Sequence, residues 1–175
     1  KGISILNYGD ISTLSFHATK IFHTIEGGAL IINDDSLVEK ARYLINFGIK
    51  DAEQIPELGT NAKMNEFEAA MGLCVLEDIE KLKIERSKHY QKYIEGLGNF
   101  VTLQKITSHT TQNYGYFPII LDNEKQLKQI ELALNSIEVF PRRYFYPSLD
   151  TLAYISDNQV CDISRDIASR ILCLP

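Results

Sequence analysis

An α/β fold is predicted for this 175-residue chain, and three observations carry the prediction. Near the N-terminus two short apolar runs flank a cluster of turn formers, the pattern of strand, turn and strand. Between residues 37 and 97 apolar side chains recur at helical spacing. After Gly98 the texture alternates strand, helix, strand, helix. A hydrophobic fraction of 45% is enough to build a core from these elements.

Taken in order, Asn7-Tyr8-Gly9-Asp10 is a turn signal that feeds a strand ending at Phe16. His17-Ala18-Thr19-Lys20 follows as a turn, Glu26-Gly27-Gly28 permits a tight reversal, and residues 29–32 read as a buried strand. Asn33-Asp34-Asp35-Ser36 is an N-cap cluster for a helix over 37–45, which Gly48 stops. Pro56 and Gly59 mark 51–60 as a loop. A second helix is expected over 61–74 with Asn65 as a cap, and a third, long and amphipathic, over 76–97, ended by Gly96 and Gly98. Beyond it the pattern predicts strands at 100–103 and 114–121, a helix at 124–135, and a strand over 137–144 running into Pro147. Helices are expected at 153–156 and 163–172.

Charge and composition exclude several classes. The net charge is −5 with both signs mixed along the chain, so no basic stripe marks a nucleic-acid partner. No run approaches the roughly 18 apolar residues of a membrane span, and the first residues lack the apolar core of a signal peptide. A cytoplasmic protein with no membrane partner is expected. Cys74, Cys161 and Cys173 are odd in number and form no C-x-x-C pair, which points to reduced thiols. His17, His23, His89 and His109 make no metal constellation; His17 stands out because it lies beside a lysine.

That lysine, Lys20, has two readings. A lysine between strands is ordinarily a solvated surface charge. Ser15, five residues earlier, gives the second: its hydroxyl and nearby N–H groups could hold a phosphate while the lysine amine reaches a carbonyl on the same ligand. A Schiff-base lysine beside a phosphate site is the arrangement used for pyridoxal phosphate.

Three runs decide between them. S-F-H-A-T-K-I-F-H-T-I-E-G-G-A around Lys20, G-T-N-A-K-M-N-E-F-E-A-A-M-G-L from Gly59, and R-R-Y-F-Y-P-S-L from Arg142 resemble the nucleotide-sugar aminotransferases of the DegT/StrS type. The resemblance implies the C-terminal part of a fold-type-I aminotransferase: residues 1–80 a remnant of the large cofactor-binding domain, a bridging helix, and 81–175 a small α/β domain. It also implies that family members continue upstream and downstream of this chain.

By the same resemblance Lys20 would form a Schiff base with pyridoxal 5'-phosphate and then move a proton as base and acid. Ser15 would bind the cofactor phosphate, and Asn61, otherwise a turn residue, would reach the phosphate in the neighbouring subunit of a homodimer. The amino group would pass, from glutamate, to a nucleoside-diphosphate keto-sugar, with deoxythymidine-diphosphate 6-deoxy sugars favoured. Arg142 and Arg143 would meet the diphosphate and Tyr144 and Tyr146 would line the sugar or base site; the alternative is strand residues alternating between core and solvent. Two other readings stand beside this one, a non-catalytic fragment and a pyridoxamine-dependent sugar dehydratase, whose usual members carry histidine where Lys20 stands.

Overall fold

The computed structural model describes residues 2–155 and 159–175. The chain divides into two compact units, Lys1–Leu82 and Lys83–Pro175.

In the first unit strands β1 (Ile11–Ser15) and β2 (Gly28–Ile32) pair antiparallel, with Ile11 opposite Ile32 and Ser15 opposite Gly28. β1 ends one residue before the expected Phe16. Glycine at position 28 lets the strands approach, since a Cβ there would sit 2.7 Å from the Leu14 carbonyl oxygen. β2 is not the buried strand expected; Leu30 is 44% exposed, because a two-stranded sheet offers its faces little to pack against. Residues 16–27, a longer connection than the tight reversal expected, join the strands.

Helix α1 (Val38–Leu44) follows a 3-10 turn, Asp35–Leu37. The Asp34 carboxylate accepts the Ser36 N–H at 2.9 Å and caps that turn, as the cluster of short polar residues predicts. Gly48 closes the helix: its N–H donates to the Tyr43 carbonyl at 2.7 Å, its φ is +79°, and a Cβ would lie 1.7 Å from the Glu57 carbonyl oxygen.

The two helices expected over 61–97 are one, α2 (Glu66–Leu97). A reciprocal capping box starts it: Glu68 N–H donates to Asn65 Oδ1 at 3.0 Å and Asn65 N–H to Glu68 Oε2 at 2.9 Å. No proline or turn former separates 74 from 76, so nothing interrupts the backbone ladder, and Val75 and Gly72 turn inward together. Gly96 lies inside the helix rather than ending it.

The second unit has an antiparallel sheet in the order β3 (Thr102–Leu103), β4 (Phe117–Ile120), β5 (Ile171–Leu174). Helix α3 (Glu124–Asn135) has the predicted bounds, capped by Asn123 Oδ1, which accepts the Gln126 N–H at 2.9 Å. Phe117, Ile119, Leu121, Leu127 and Leu172 form the core. Leu127 and Leu172 are fully buried, each contributing roughly 1.5–3 kcal/mol by transfer from water. Tyr90 and Tyr93 of α2 close the core against Phe117, with ring centroids 4.7 and 4.8 Å away.

Three expectations fail here. The strand over 137–144 is absent because the end of α3 consumes its first residues: Ile137 and Val139 both donate to the Leu134 carbonyl at 3.0 Å, and Glu138 adopts φ 61°. Pro141 then brings no N–H, and Arg142 alone bridges to Cys173. Helix α4 (Asp162–Arg170) stops before Leu172, because Ile171–Leu174 completes the ladder beside β4. The helix at 153–156 lies partly outside the described residues; its described part is a turn, with Ile155 N–H on the Leu152 carbonyl at 2.9 Å.

Candidate active site

Lys20 sits in the β1–β2 connection, which folds as a cross-braced loop. Phe16 N–H donates to the Gly27 carbonyl and Thr24 N–H to the Phe16 carbonyl, both at 2.9 Å. Thr24, 2% exposed, is its plug. Its hydroxyl donates to the Glu26 carbonyl, and its methyl group faces Gly72 of α2, where a Cβ would come within 2.9 Å. Phe16 and Phe22 meet edge to face with centroids 4.8 Å apart. Gly27 takes φ +147°, and a Cβ there would be 2.3 Å from Thr24 Oγ1; no other residue fits this close approach.

Within the loop a turn presents the lysine, Lys20 N–H donating to the His17 carbonyl at 2.9 Å. The side chain is half-buried, and its amine has no hydrogen bond or ion pair among the described residues. Ser15, at the end of β1, is exposed, and its hydroxyl likewise has no partner among them. The structure thus places both residues on one hairpin.

Asn61, exposed, pairs through its backbone with Asn46 just ahead of α2. Neighbouring bonds fix this segment: Thr60 N–H to the Leu44 carbonyl at 2.8 Å and Ala62 N–H to the Ile45 carbonyl at 3.0 Å. Lys63 donates to Asn46 Oδ1 at 3.0 Å and stands 4.3 Å over the Phe47 ring.

The second unit holds Arg142, Arg143, Tyr144 and Tyr146, and it treats the two arginines differently. Arg142 exchanges backbone bonds with Cys173, and its exposed guanidinium has no partner among the described residues. Arg143 is engaged: Nη2 donates to Glu124 Oε1 at 3.1 Å and to the Ser169 carbonyl at 3.2 Å, and the guanidinium lies 3.6 Å over the Tyr146 ring. Lys128, then Arg143, holds the Glu124 carboxyl below the usual carboxylate range. Arg143 Nε is buried without a partner among the described residues. Tyr144 stacks on Phe145 at 3.8 Å and approaches Tyr116 at 5.2 Å.

Behind this segment Asp150 is a latch. It accepts from Ser148 Oγ at 2.5 Å, Cys161 N–H at 2.9 Å and Arg165 Nε at 2.7 Å. Those donors, Ser148 foremost, hold its carboxyl at about 2. A groove of about 850 Å³ lies alongside, lined by Tyr144, Phe145, Cys161 and one side of α4. Nothing in the sequence signalled Asp150, whose donors are brought together by folding; the Thr24 plug and the ties of His17 are of the same kind.

The hairpin thus carries a lysine amine and a serine hydroxyl that both lack a partner among the described residues. The chain belongs to the DegT/DnrJ/EryC1/StrS aminotransferase family, whose profile matches residues 1–175. It is 40% identical to a dTDP-4-amino-4,6-dideoxy-D-glucose transaminase of Shigella dysenteriae, over 98% of this chain and 49% of that one. With the transaminase of the same name from Escherichia coli it shares 34% identity, over 86% of this chain and 43% of the relative. Among solved structures, DesI crystallised in the presence of its TDP-sugar product superimposes with TM-score 0.81 at 31% identity, covering 95% of this chain and 44% of that one. TlmJ, an aminotransferase from Streptoalloteichus hindustanus, gives TM-score 0.88 at 23% identity, a likeness of fold. The chain spans about half the length of the curated relatives it matches.

Pyridoxal phosphate is the cofactor of this family, and the residues present fit it. The unpartnered Lys20 amine suits its aldehyde and the unpartnered Ser15 hydroxyl its phosphate. No helix among the described residues is long and apolar enough to cross a membrane, and no group of three or more metal-ligating side chains occurs among them.

Proposed function

We propose that this chain carries the lysine half of the active site of a nucleotide-sugar aminotransferase that uses pyridoxal phosphate. The observation that carries the reading is the half-buried Lys20 amine, unpartnered on a hairpin that hydrogen bonds hold in shape. When bound, the cofactor stores the electron pair released at the amino-bearing carbon. Lys20 would hold the cofactor through Nζ, and its amine would supply the base and acid for the proton at that carbon. Ser15 orients the phosphate through its hydroxyl, and Asn61 serves the phosphate of a second subunit in a homodimer.

Glutamate gives the amino group and a nucleoside-diphosphate keto-sugar receives it, in alternating half-reactions. The 40% identity to a dTDP-sugar transaminase, against 26% to a GDP-perosamine synthase of Vibrio cholerae, supports a deoxythymidine-diphosphate 4-keto-6-deoxy sugar. Arg142, exposed and unpartnered, meets the diphosphate, while Arg143 keeps Tyr146 in place for the sugar or base.

Titrating the purified chain with pyridoxal phosphate, reducing with borohydride and mapping the modified peptide by mass tests this reading. The adduct is expected on Lys20 and is lost in Lys20→Ala. Labelling spread over surface lysines, or none, overturns it.

A further inference from the structure

We propose that His17 is a positioning residue for Lys20, acting as a neutral imidazole that accepts from the turn at one nitrogen and donates to Glu26 at the other. The inference rests on the reading of Lys20 as the cofactor-holding lysine. A lysine stem has four rotatable carbons, so the direction of its amine depends first on how firmly its backbone is held. Two successive N–H groups of the turn point back to one residue. Lys20 N–H donates to the His17 carbonyl at 2.9 Å, and Thr19 N–H donates to His17 Nδ1 at 3.3 Å, with Thr19 Oγ1 3.0 Å from the same nitrogen.

A ring nitrogen that accepts carries no proton. The imidazole proton therefore sits on Nε2, which lies 3.4 Å from Glu26 Oε1. Glu26 adjoins Gly27, the residue that receives the Phe16 N–H. One ring thus joins the lysine turn to the far end of the connection. The His17 and Glu26 side chains are 48% and 67% exposed, and a pair so exposed adds little to stability. Its consequence is orientation. His23 makes the same local bond, accepting Ile25 N–H at 3.3 Å, but on the other side of Lys20 and with no carboxylate partner among the described residues, which makes it the natural comparison.

The test uses the 175-residue chain, with His17→Leu, His17→Asn and His23→Leu. Asparagine accepts from the N–H two residues ahead, as the imidazole does; leucine cannot. Amide exchange at Thr19 and Lys20 is followed by NMR, and the rate of borohydride-trapped pyridoxal phosphate on Lys20 by peptide mass. His17→Leu is expected to speed exchange at both amides and slow trapping by about three- to tenfold, the range of one lost hydrogen bond. His17→Asn recovers most of both, and His23→Leu moves exchange at Ile25 instead. Unchanged exchange in His17→Leu, an asparagine variant as impaired as leucine, or unchanged trapping despite faster exchange overturns the proposal. If the unaltered chain traps nothing on Lys20, the reading of Lys20 falls, and the exchange measurements alone decide whether His17 holds the turn.

Discussion

The two units hold their shapes by different means. In Lys83–Pro175 five apolar side chains from β4, its end, α3 and β5 interlock, and two of them are sealed from water. In Lys1–Leu82 Val75 is the one buried hydrophobic side chain among the described residues, while Ile11, Leu30, Phe47 and Phe67 stay exposed. There order comes from the backbone: glycines at 27, 28, 48 and 59 allow approaches no other residue tolerates, and loop hydrogen bonds brace what they permit. The unit with the ordinary core carries the aromatic segment and the arginines. The unit shaped by its backbone presents the lysine.

The sharpest way to break the contrast is to cut each unit where it is densest. Leu127→Ala should cost about 2–5 kcal/mol, read as a lower urea midpoint for peptides of the second unit by hydrogen exchange. Val75→Ala, removing less from a thinner core, should cost clearly less in the first unit. Equal losses would mean that the first unit buries more than its side chains display.

A smaller effect is expected from the backbone. Gly48→Ala places a methyl against the Glu57 carbonyl at φ +79°, and strain of this kind is worth about 1–3 kcal/mol. Limited proteolysis should then cut faster within residues 49–58 and leave the second unit's peptides unchanged. A variant as resistant as the parent would show that this loop adapts.

The mildest test is of pH. Folding lowers the Asp150 carboxyl from the usual 3.8 to about 2, so the stability it contributes is full above pH ~4 and drains away as pH falls through ~2. Asp150→Asn removes that dependence. Acid unfolding of the second unit should be shallower between pH 4 and 2 in the variant than in the parent, whereas the first unit should titrate alike in both. Parallel profiles for the second unit would deny the latch a role in acid stability.

Much of the fold was legible because it is local. Short polar residues ahead of apolar periodicity marked the turn that leads into α1 and the start of α2, since an N-cap satisfies N–H groups within three residues of itself. The lysine between two strands was readable for the same reason. Misreadings fell where an apolar run had no local preference: Ile171-Leu172-Cys173-Leu174 suits a helix or a strand, and the open edge of β4 made it a strand. At 137–144 a helix end and a proline overruled a strand pattern that had no ladder to join.

By itself the sequence determined the two N-terminal strands, helix α3, the caps of α2 and of the turn before α1, the position of Lys20 and Ser15 on one hairpin, and membership of the family, because each depends on neighbours in the chain or on motifs carried whole. Tertiary structure alone decided that Arg143 is committed to Glu124 and Tyr146 while Arg142 stays unpartnered, that Asp150 gathers donors from Ser148, Cys161 and Arg165, and that His17 reaches Glu26. Those partners lie 2 to 19 residues apart along the chain. Their meeting depends on how the backbone turns between them, which no spacing rule encodes.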